Sequence, residues 1–390
     1  MSKSAAEILG NPDYLAISYG GYRENTRDVQ PSIEQLKEDM KILSAMGIKI
    51  LRDYNVQLQH AANLLEAIKQ LKEEDANFEM YVMLGAWIDC QHAWTGKEPN
   101  HEIESTQANA SEIQRAIDLA NDYPDIVKVI AVGNEAMVRW ATSYFVRPDV
   151  ILKWVNHLQD MKRSGDLPSD LWITSSDDFC SWGGGDPSYH TQDLESLIKA
   201  VDYVSMHTYP MHNSHYNPQF WTVPDDEETL SEEDKIHSAM LRAKQFVIDQ
   251  YQSVLGYMQS LGVNKPLHIG ETGWATVCVQ DYGAHGSKAA DEYKSGLYYQ
   301  HMREWTNENN IACFYFEAFD ECWKDQNNEA GSENHFGLIN VQGEAKYALW
   351  DAVDKGIFDG LSRDGQAITK TYQGDKKALM ENVLAPPRYY

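Results

Sequence analysis

The sequence is poor in cysteine and lacks any long apolar run. The cysteines are five in number and show no C-x-x-C spacing: Cys90, Cys180, Cys278, Cys313 and Cys322. Their odd number and irregular spacing argue against both a zinc site and a disulfide framework. No stretch of about 18 apolar residues is present, so we expect no membrane-spanning helix. Residues 1–12 also lack the apolar core of a signal peptide, and the compartment stays open.

Basic residues are scarce as well. The chain carries 33 Lys and Arg against 59 Asp and Glu, which gives a net charge of −26. Such a charge argues against nucleic acid, an anionic membrane surface or a polyanion as partner. A neutral polymer or a small neutral molecule fits better. With 43% hydrophobic and 24% charged residues, the composition is that of a globular protein with a large core.

Two kinds of motif are also missing. No G-x-G-x-x-G or G-x-x-x-x-G-K follows an early strand, which argues against a nucleotide site. His207, His212 and His215 show neither H-x-H nor H-E-x-x-H spacing, so we interpret them as loop histidines. The sequence therefore predicts neither a metal nor a cofactor.

The most informative stretch that is present runs from Asp125 to Trp140. It contains an apolar segment, residues 126–132, rich in β-branched residues, as is typical of a strand buried on both faces. The segment ends at Gly133 and is followed by Asn134 and Glu135. In α/β folds the carboxyl ends of the strands carry the chemistry, so this pattern indicates a functional carboxylate.

Strand and helix patterns alternate eight times along the chain. Predicted strands cover residues 14–19, 48–54, 78–87, 126–132, 171–175, 201–206, 267–270 and 312–319. Two predicted helices begin after Ser32 and Pro148. The others begin at His60, about Ser111, Leu194, about Glu233, Asp291 and Lys346. This alternation predicts a single (β/α)8 TIM barrel over residues 1–390, with the catalytic cleft at the carboxyl ends of the strands. An open doubly wound sheet is the alternative, but it would favour a glycine-rich phosphate loop.

Two segments lie outside this repeat. Residues 207–232 form the longest stretch without helix or strand pattern, and we expect them to narrow one end of the cleft. Residues from about 359 to 390 are polar, and we expect them to form an extension packed on the barrel at its base.

Carboxylates and aromatic residues recur at the predicted strand ends. They are Tyr19, Tyr22, Arg52, Asp53, Tyr54, Trp87, Asn134, Glu135, His207, Tyr209, Glu271, Trp274, Glu317, Asp320, Glu321, Trp323 and Lys324. Aromatic faces can stack on sugar rings while carboxylates and amides bind hydroxyl groups. Strands four and seven lie across a barrel from each other, so Glu135 and Glu271 can face each other as the two carboxyl groups of glycoside hydrolysis.

Several motifs carry a resemblance to a known family. They are S-Y-G-G-Y-R at 18–23, G-N-E at 133–135, E-T-G-W at 271–274, F-D-E-C-W-K at 319–324 and E-N-H-F-G-L at 333–338. Together they resemble glycoside hydrolase family 17, the β-1,3-glucanases, in its bacterial and fungal branch. Two positions differ from the usual pattern: Ala275 replaces a proline, and His207 stands where plant members have asparagine.

The resemblance implies a role for each matching residue. Glu135 is expected to be the acid/base and Glu271 the nucleophile. Asn134 is expected to bind the sugar 2-hydroxyl, Tyr209 to hydrogen-bond the nucleophile, and Tyr54 to contact sugar. The full set of expected substrate-binding residues is Tyr22, Tyr54, Trp87, Asn134, Tyr209, Trp274, Glu321, Trp323 and Lys324. Expected supporting residues are Arg52, His207, Glu317 and Glu333. Trp182 and Trp221 are further candidate stacking platforms, with plain packing as the alternative.

The sequence thus predicts a retaining glycoside hydrolase that cleaves β-1,3-glucosidic bonds in laminarin-like glucans without metal or cofactor. Endo and exo attack both stay open. The alternatives are a β-1,3-glucan transglycosylase, a related β-glycan specificity, and a non-catalytic glucan-binding barrel. We expect a monomer with β-1,3-glucan as partner and neither nucleic acid nor membrane. The substrate favours a secreted or periplasmic location.

Overall fold

The computed structural model describes residues 2–388, in which eight parallel strands close into a barrel. The strands are β1 (Leu15–Ser18), β2 (Ile48–Arg52), β3 (Tyr81–Ala86), β4 (Val127–Asn134), β5 (Trp172–Asp178), β6 (Val204–His207), β7 (Leu267–Gly273) and β8 (Cys313–Phe316). Each pairs with its neighbour in sequence, and β8 pairs with β1. The predicted (β/α)8 TIM barrel is confirmed.

A helix follows each strand and packs around the barrel. The helices are α1 (Ile33–Ala45), α2 (Gln59–Glu74), α3 (Thr106–Asp122), α4 (Pro148–Ser164), α5 (Gln192–Ala200), α6 (Glu232–Ser260), α7 (Glu292–Glu308) and α8 (Trp350–Asp354). The predicted capping box at the start of α1 is present. Gln35 N donates to Ser32 Oγ at 3.2 Å, and Ser32 N donates to Gln35 Oε1 at 3.0 Å.

Three strands extend further than their apolar patterns predicted. β4, β5 and β7 continue through polar residues because their ladders with the neighbouring strands continue; Asn134 pairs with Ser176, and Asp178 pairs with His207. The start predicted for α3 at Ser111 is wrong. The helix begins at Thr106, because Ser105 precedes it as the N-cap residue and is held by its backbone N–H on Asp89 O at 3.0 Å.

Residues 207–232 are more regular than predicted. They contain a helix, Pro210–Tyr216, and two 3-10 turns, Pro218–Phe220 and Asp225–Glu227. Proline opens the helix, where its missing N–H costs nothing. Trp221 anchors the segment, since its indole is fully buried and donates to Ser287 O at 2.7 Å.

The two ends of the chain pack at opposite ends of the barrel. Ile8 and Leu9 join the apolar cluster at the base. The C-terminal segment, residues 359–388, lies instead at the end where the strands terminate, so the expected packing at the base is wrong. Its Thr369–Lys370 strand pairs with Glu344–Ala345, and Pro387 O accepts from Val223 N at 3.0 Å.

Across residues 2–388, none of the helices combines the length and the apolar character needed to cross a membrane.

Candidate active site

Two glutamates face each other at the carboxyl end of the barrel. Glu271 lies within β7 and pairs in register with His207 of β6, while Glu135 directly follows β4. One carboxylate oxygen of each glutamate and a ring nitrogen of His207 all lie within 4.8 Å of one another. The barrel geometry therefore brings together two carboxyl groups that are far apart in the sequence.

A tight turn after β4 directs Glu135 into the barrel mouth. Gly133 has a φ of +82° and Glu135 itself a φ of +46°, in the left-handed region that side-chain-bearing residues rarely adopt. The Glu135 N–H donates to Ser176 O at 2.9 Å, which ties the turn to β5. Backbone strain of this kind is typical of functional positions, where the surrounding structure maintains it.

Glu271 is surrounded by hydrogen-bond donors. Arg52 Nη1 donates to its Oε2 at 2.8 Å, and the same guanidinium donates through Nη2 to Asn134 Oδ1 at 2.6 Å. Tyr209 donates its hydroxyl to Oε1 at 2.6 Å, the contact that the sequence predicted. Tyr54 donates to Oε2 at 2.7 Å, so its hydroxyl is engaged with the carboxylate as well as lining the cleft.

These surroundings shift the pKa values of the two glutamates in opposite directions. Burial, and then the negative charge of Glu271, raise the pKa of Glu135 to about 8. Burial alone would raise the pKa of Glu271 too, but its net shift is downward, because nearby positive charge and the two phenol donors favour the carboxylate. At neutral pH the pair therefore holds one proton, on Glu135.

His207 connects Glu135 to the barrel interior. Its Nδ1 lies 3.0 Å from Glu135 Oε1, and its Nε2 lies 2.7 Å from Ser176 Oγ. Burial lowers the pKa of His207 to about 4, so the imidazole is neutral at neutral pH. The positive charge beside Glu271 is consequently that of Arg52.

Among the described residues, Glu135, His207 and Glu271 form a group whose donor atoms could in principle bind a metal ion. The guanidinium of Arg52 already lies 2.8 Å from Glu271 and would repel a cation there. This charge distribution suits a proton-sharing carboxyl pair better than a metal centre.

The cleft has two sides that meet at Glu271, Phe316 and Glu333. The Asn134 side, which also includes Tyr22, Trp87 and Trp323, has a cavity volume of about 640 Å³. The Glu135 side, which also includes Asp178, Tyr209 and Tyr216, has a volume of about 950 Å³. The carboxyl pair thus lies in the middle of a groove and not at its end.

Polar residues line the Asn134 side as well. Glu321 accepts from Tyr22 N at 3.0 Å and from Trp323 Nε1 at 3.1 Å, and Lys324 forms ion pairs with both Glu317 and Glu321. Gly20 makes this approach possible, because a Cβ there would lie 2.2 Å from Glu321 Oε1.

Three tryptophans that were expected or considered to contact sugar do not reach the cleft. Trp182, Trp221 and Trp274 are each 0% exposed. Their indole N–H groups donate to the backbone oxygens of Ser205, Ser287 and Ala289, respectively, at 2.7–2.9 Å. These rings fill space between the barrel and its helices, so the substrate-binding role predicted for Trp274 and the stacking role considered for the other two are wrong.

The structure also brings residues to the cleft that the sequence reasoning missed. They are Trp94, Trp140, Asp178 and His212. Asp178 ends a predicted strand that proved three residues longer, so the strand-end rule could have found it. The two exposed tryptophans lie on loops, where no periodic pattern indicates the direction of a side chain.

Comparison with known proteins gives a consistent result. The BtgE/BtgC glycoside hydrolase domain matches residues 16–337. A crystal structure of an endo-laminarinase from Formosa Hel1_33_131 is 65% identical, with a TM-score of 0.98 over 99% of this chain and 98% of that one.

More distant relatives come from fungi. A glucan 1,3-beta-glucosidase from Arthroderma benhamiae is 27% identical over 68% of this chain and 70% of its own length. The family 17 beta-1,3-glucanosyltransferase from Rhizomucor miehei shares the fold, with a TM-score of 0.59, 20% identity, and coverage of 86% of this chain and 96% of that one. The chain spans less than half the length of the Aspergillus btgC proteins that it matches.

Proposed function

This chain belongs to the BtgE/BtgC glycoside hydrolase domain family, and from that premise we propose that it is a β-1,3-glucanase of glycoside hydrolase family 17. The observation that carries the proposal is the carboxyl pair of Glu135 and Glu271 at the middle of the groove. The surroundings raise the pKa of Glu135 and lower that of Glu271, as a proton donor and a nucleophile require. Similarity to an endo-laminarinase over nearly the whole chain supports a laminarin-like substrate.

In the proposed first step, Glu271 attacks the anomeric carbon of the glucosyl residue on the Asn134 side. The glycosidic C–O bond breaks as Glu135 transfers its proton to the leaving oxygen, and a covalent glycosyl-enzyme forms. The oxygen atoms within 4.8 Å support this retaining course, since an inverting pair needs a separation of about 6.5–9.5 Å. In the second step Glu135 takes a proton from water, which attacks the same carbon and releases Glu271.

The neighbouring residues have matching roles in this proposal. Arg52, Tyr54 and Tyr209 stabilise the charge of Glu271 before attack. Because Arg52 engages Asn134 Oδ1, the Nδ2 amide of Asn134 is directed toward a sugar hydroxyl. Glu317 and Glu321 form ion pairs with Lys324 and hold it at the Asn134 side. Burial raises the pKa of Glu317 and of Glu333, which lines both sides of the cleft.

We further propose endo attack, because the groove continues on both sides of the pair. Transglycosylation is the second candidate. Tyr189, Tyr216 and Tyr282 line the Glu135 side and offer aromatic surface for a sugar acceptor, which could compete with water at the second step. A non-catalytic glucan-binding barrel is disfavoured, since both carboxyl groups are present and their pKa values are shifted in opposite directions.

Product analysis on laminarin and on defined β-1,3-oligosaccharides tests the proposal. We expect wild type to release oligosaccharides of mixed length with the β-anomer formed first, and Glu271→Ala to lose about 10³-fold or more of the rate. Glu308→Ala, at the exposed end of α7, is the control. An α-anomer formed first would contradict the retaining course, a single short product would contradict endo attack, and products longer than the substrate would indicate transglycosylation.

A further inference from the structure

Two tryptophans stand exposed on the walls of the cleft, one on each side of the catalytic pair. Trp94 lines the Asn134 side and Trp140 the Glu135 side, and each is 63% exposed. Ligand sites are lined mainly by apolar and aromatic side chains, and an exposed indole on a cavity wall can stack on a ligand. Both positions are therefore candidates for ligand contact.

Trp94 is held on a rigid wall. One face of its ring stacks on Tyr144, with centroids 5.2 Å apart and planes at 26°, and Tyr144 contacts Trp87 at 5.1 Å. Trp94, Tyr144 and Trp87 thus form a row of contacting rings. The remaining surface of the Trp94 indole is open toward the cavity and solvent.

The loop that carries Trp94 is tied down at several points. It joins the short strands Cys90–Gln91 and Asn100–Glu104, and Cys90 N donates to Tyr144 O at 3.0 Å. His101 stacks on Phe145 at 3.6 Å. Trp94 adopts a φ of +62°, a conformation unfavourable for a bulky residue, so the fold maintains strain to present this ring.

Trp140 is anchored in a comparable way. The preceding residue, Arg139, lies over the Tyr189 ring at 4.3 Å and donates through Nη1 to Ser188 Oγ at 2.8 Å. Both tryptophans thus project from loops that are fixed without the tryptophan side chain, which favours a recognition role over a packing role.

We propose that Trp94 and Trp140 are stacking platforms for β-1,3-linked glucosyl residues distant from the scissile bond. This inference rests on the proposed function, which fixes the direction in which the glucan chain lies in the groove. The Glu135 side receives the leaving group because Glu135 protonates it, so Trp94 contacts the chain toward its non-reducing end and Trp140 toward its reducing end. A neutral sugar suits both sites, since the C–H face of a glucosyl ring packs on an indole and carries no charge into a strongly acidic protein.

The proposal predicts that the two substitutions move the position of cleavage along the oligosaccharide in opposite directions. The substrates are laminari-oligosaccharides of about three to seven residues, labelled at the reducing end. On these substrates Trp94→Ala moves the cleavage site toward the non-reducing end. Trp140→Ala moves it toward the reducing end. Each variant lowers kcat/KM about tenfold on the longest chains and leaves the shortest chains unchanged. Trp94→Phe retains most of the wild-type pattern, and Tyr372→Ala, an exposed aromatic outside the cleft, leaves it unchanged.

Equal losses on all chain lengths, shifts of the same sign, or a wild-type pattern in both variants would overturn the proposal. Failure of the proposed function is distinguished by calorimetry in the Glu271→Gln background. There Trp94→Ala weakens binding of the seven-residue oligosaccharide about tenfold whether or not the wild-type chain hydrolyses it. Unchanged affinity would overturn the role of Trp94, and the unfolding midpoint of each variant confirms that it is folded.

Discussion

At the scale of single residues, the charge on Arg52 acts on both glutamates. It lies 2.8 Å from Glu271 and stabilises that carboxylate directly, and it also lowers the pKa of Glu135 against the opposing effect of burial. The proposed reaction needs Glu271 ionised and Glu135 protonated. Activity therefore falls at acid pH as Glu271 takes up a proton, and at alkaline pH as Glu135 loses one.

We predict that Arg52→Met moves the whole pH profile upward. Removal of the cation raises the pKa of Glu271, so the acid limb shifts by about one to three pH units, and it raises that of Glu135, so the alkaline limb moves in the same direction. The measurement is kcat/KM on laminarin against pH.

The rate at the optimum also falls, because Glu271 and Asn134 lose a shared partner. Arg163→Met, at the exposed end of α4, should leave both limbs in place. An unchanged acid limb in Arg52→Met would show that Tyr54 and Tyr209 are sufficient to keep Glu271 ionised.

At the scale of elements, the C-terminal segment forms a buried ion pair with helix α1, which follows the first strand. Arg363 Nε lies 3.1 Å from Asp39 Oδ1, and its guanidinium lies 4.2 Å from the Phe319 ring centroid. Asp39, fully buried in α1, also accepts from Tyr19 at 2.8 Å and from Arg23. Since Tyr22 lies beside these residues and its N–H donates to Glu321, this ion cluster supports one wall of the cleft.

We predict that Arg363→Met lowers the free energy of unfolding by about 2–3 kcal/mol. The loss is at the low end for a buried ion pair because Arg23 still neutralises Asp39. Chemical denaturation measures it. Arg388→Ala breaks exposed pairs in the same segment and should change the free energy by less than about 1 kcal/mol. Equal losses of unfolding free energy in the two variants would argue that the buried cluster stabilises the fold no more than the exposed pairs do.

At the scale of the whole molecule, the net charge of −26 sets which glucans can approach. A neutral chain experiences little of this field, whereas a sulfated chain is repelled before it reaches the cleft. The field weakens as salt shortens the screening length. Charge thus acts on association and not on the catalytic step.

We predict that kcat/KM on laminarin is insensitive to ionic strength, while kcat/KM on sulfated laminarin is low at about 0.01 M salt and rises toward about 0.15 M as screening increases. Unsulfated laminarin, which is neutral, is the control at each salt concentration. A salt dependence of equal size on both substrates would mean that the charge acts through protein stability instead.

The barrel and the identity of the candidate carboxyl pair followed from the sequence by itself. Eight apolar strand patterns alternate with helix patterns, and this order leaves few topologies; G-N-E and E-T-G-W then lie at the ends of two such strands. These properties are readable because burial produces a periodic pattern and because strand ends are predictable positions in a closed barrel.

Only the tertiary structure decided which side chains meet. Trp274 and Trp94 look alike in a sequence, yet one is 0% and the other 63% exposed, because burial depends on packing partners from distant segments. The pKa values of the two glutamates likewise depend on distant segments. Burial and the charge of Glu271 raise the pKa of Glu135, while Arg52, Tyr54 and Tyr209 lower that of Glu271. Distances, burial and charge at the site are properties of the assembled barrel, and no local pattern encodes them.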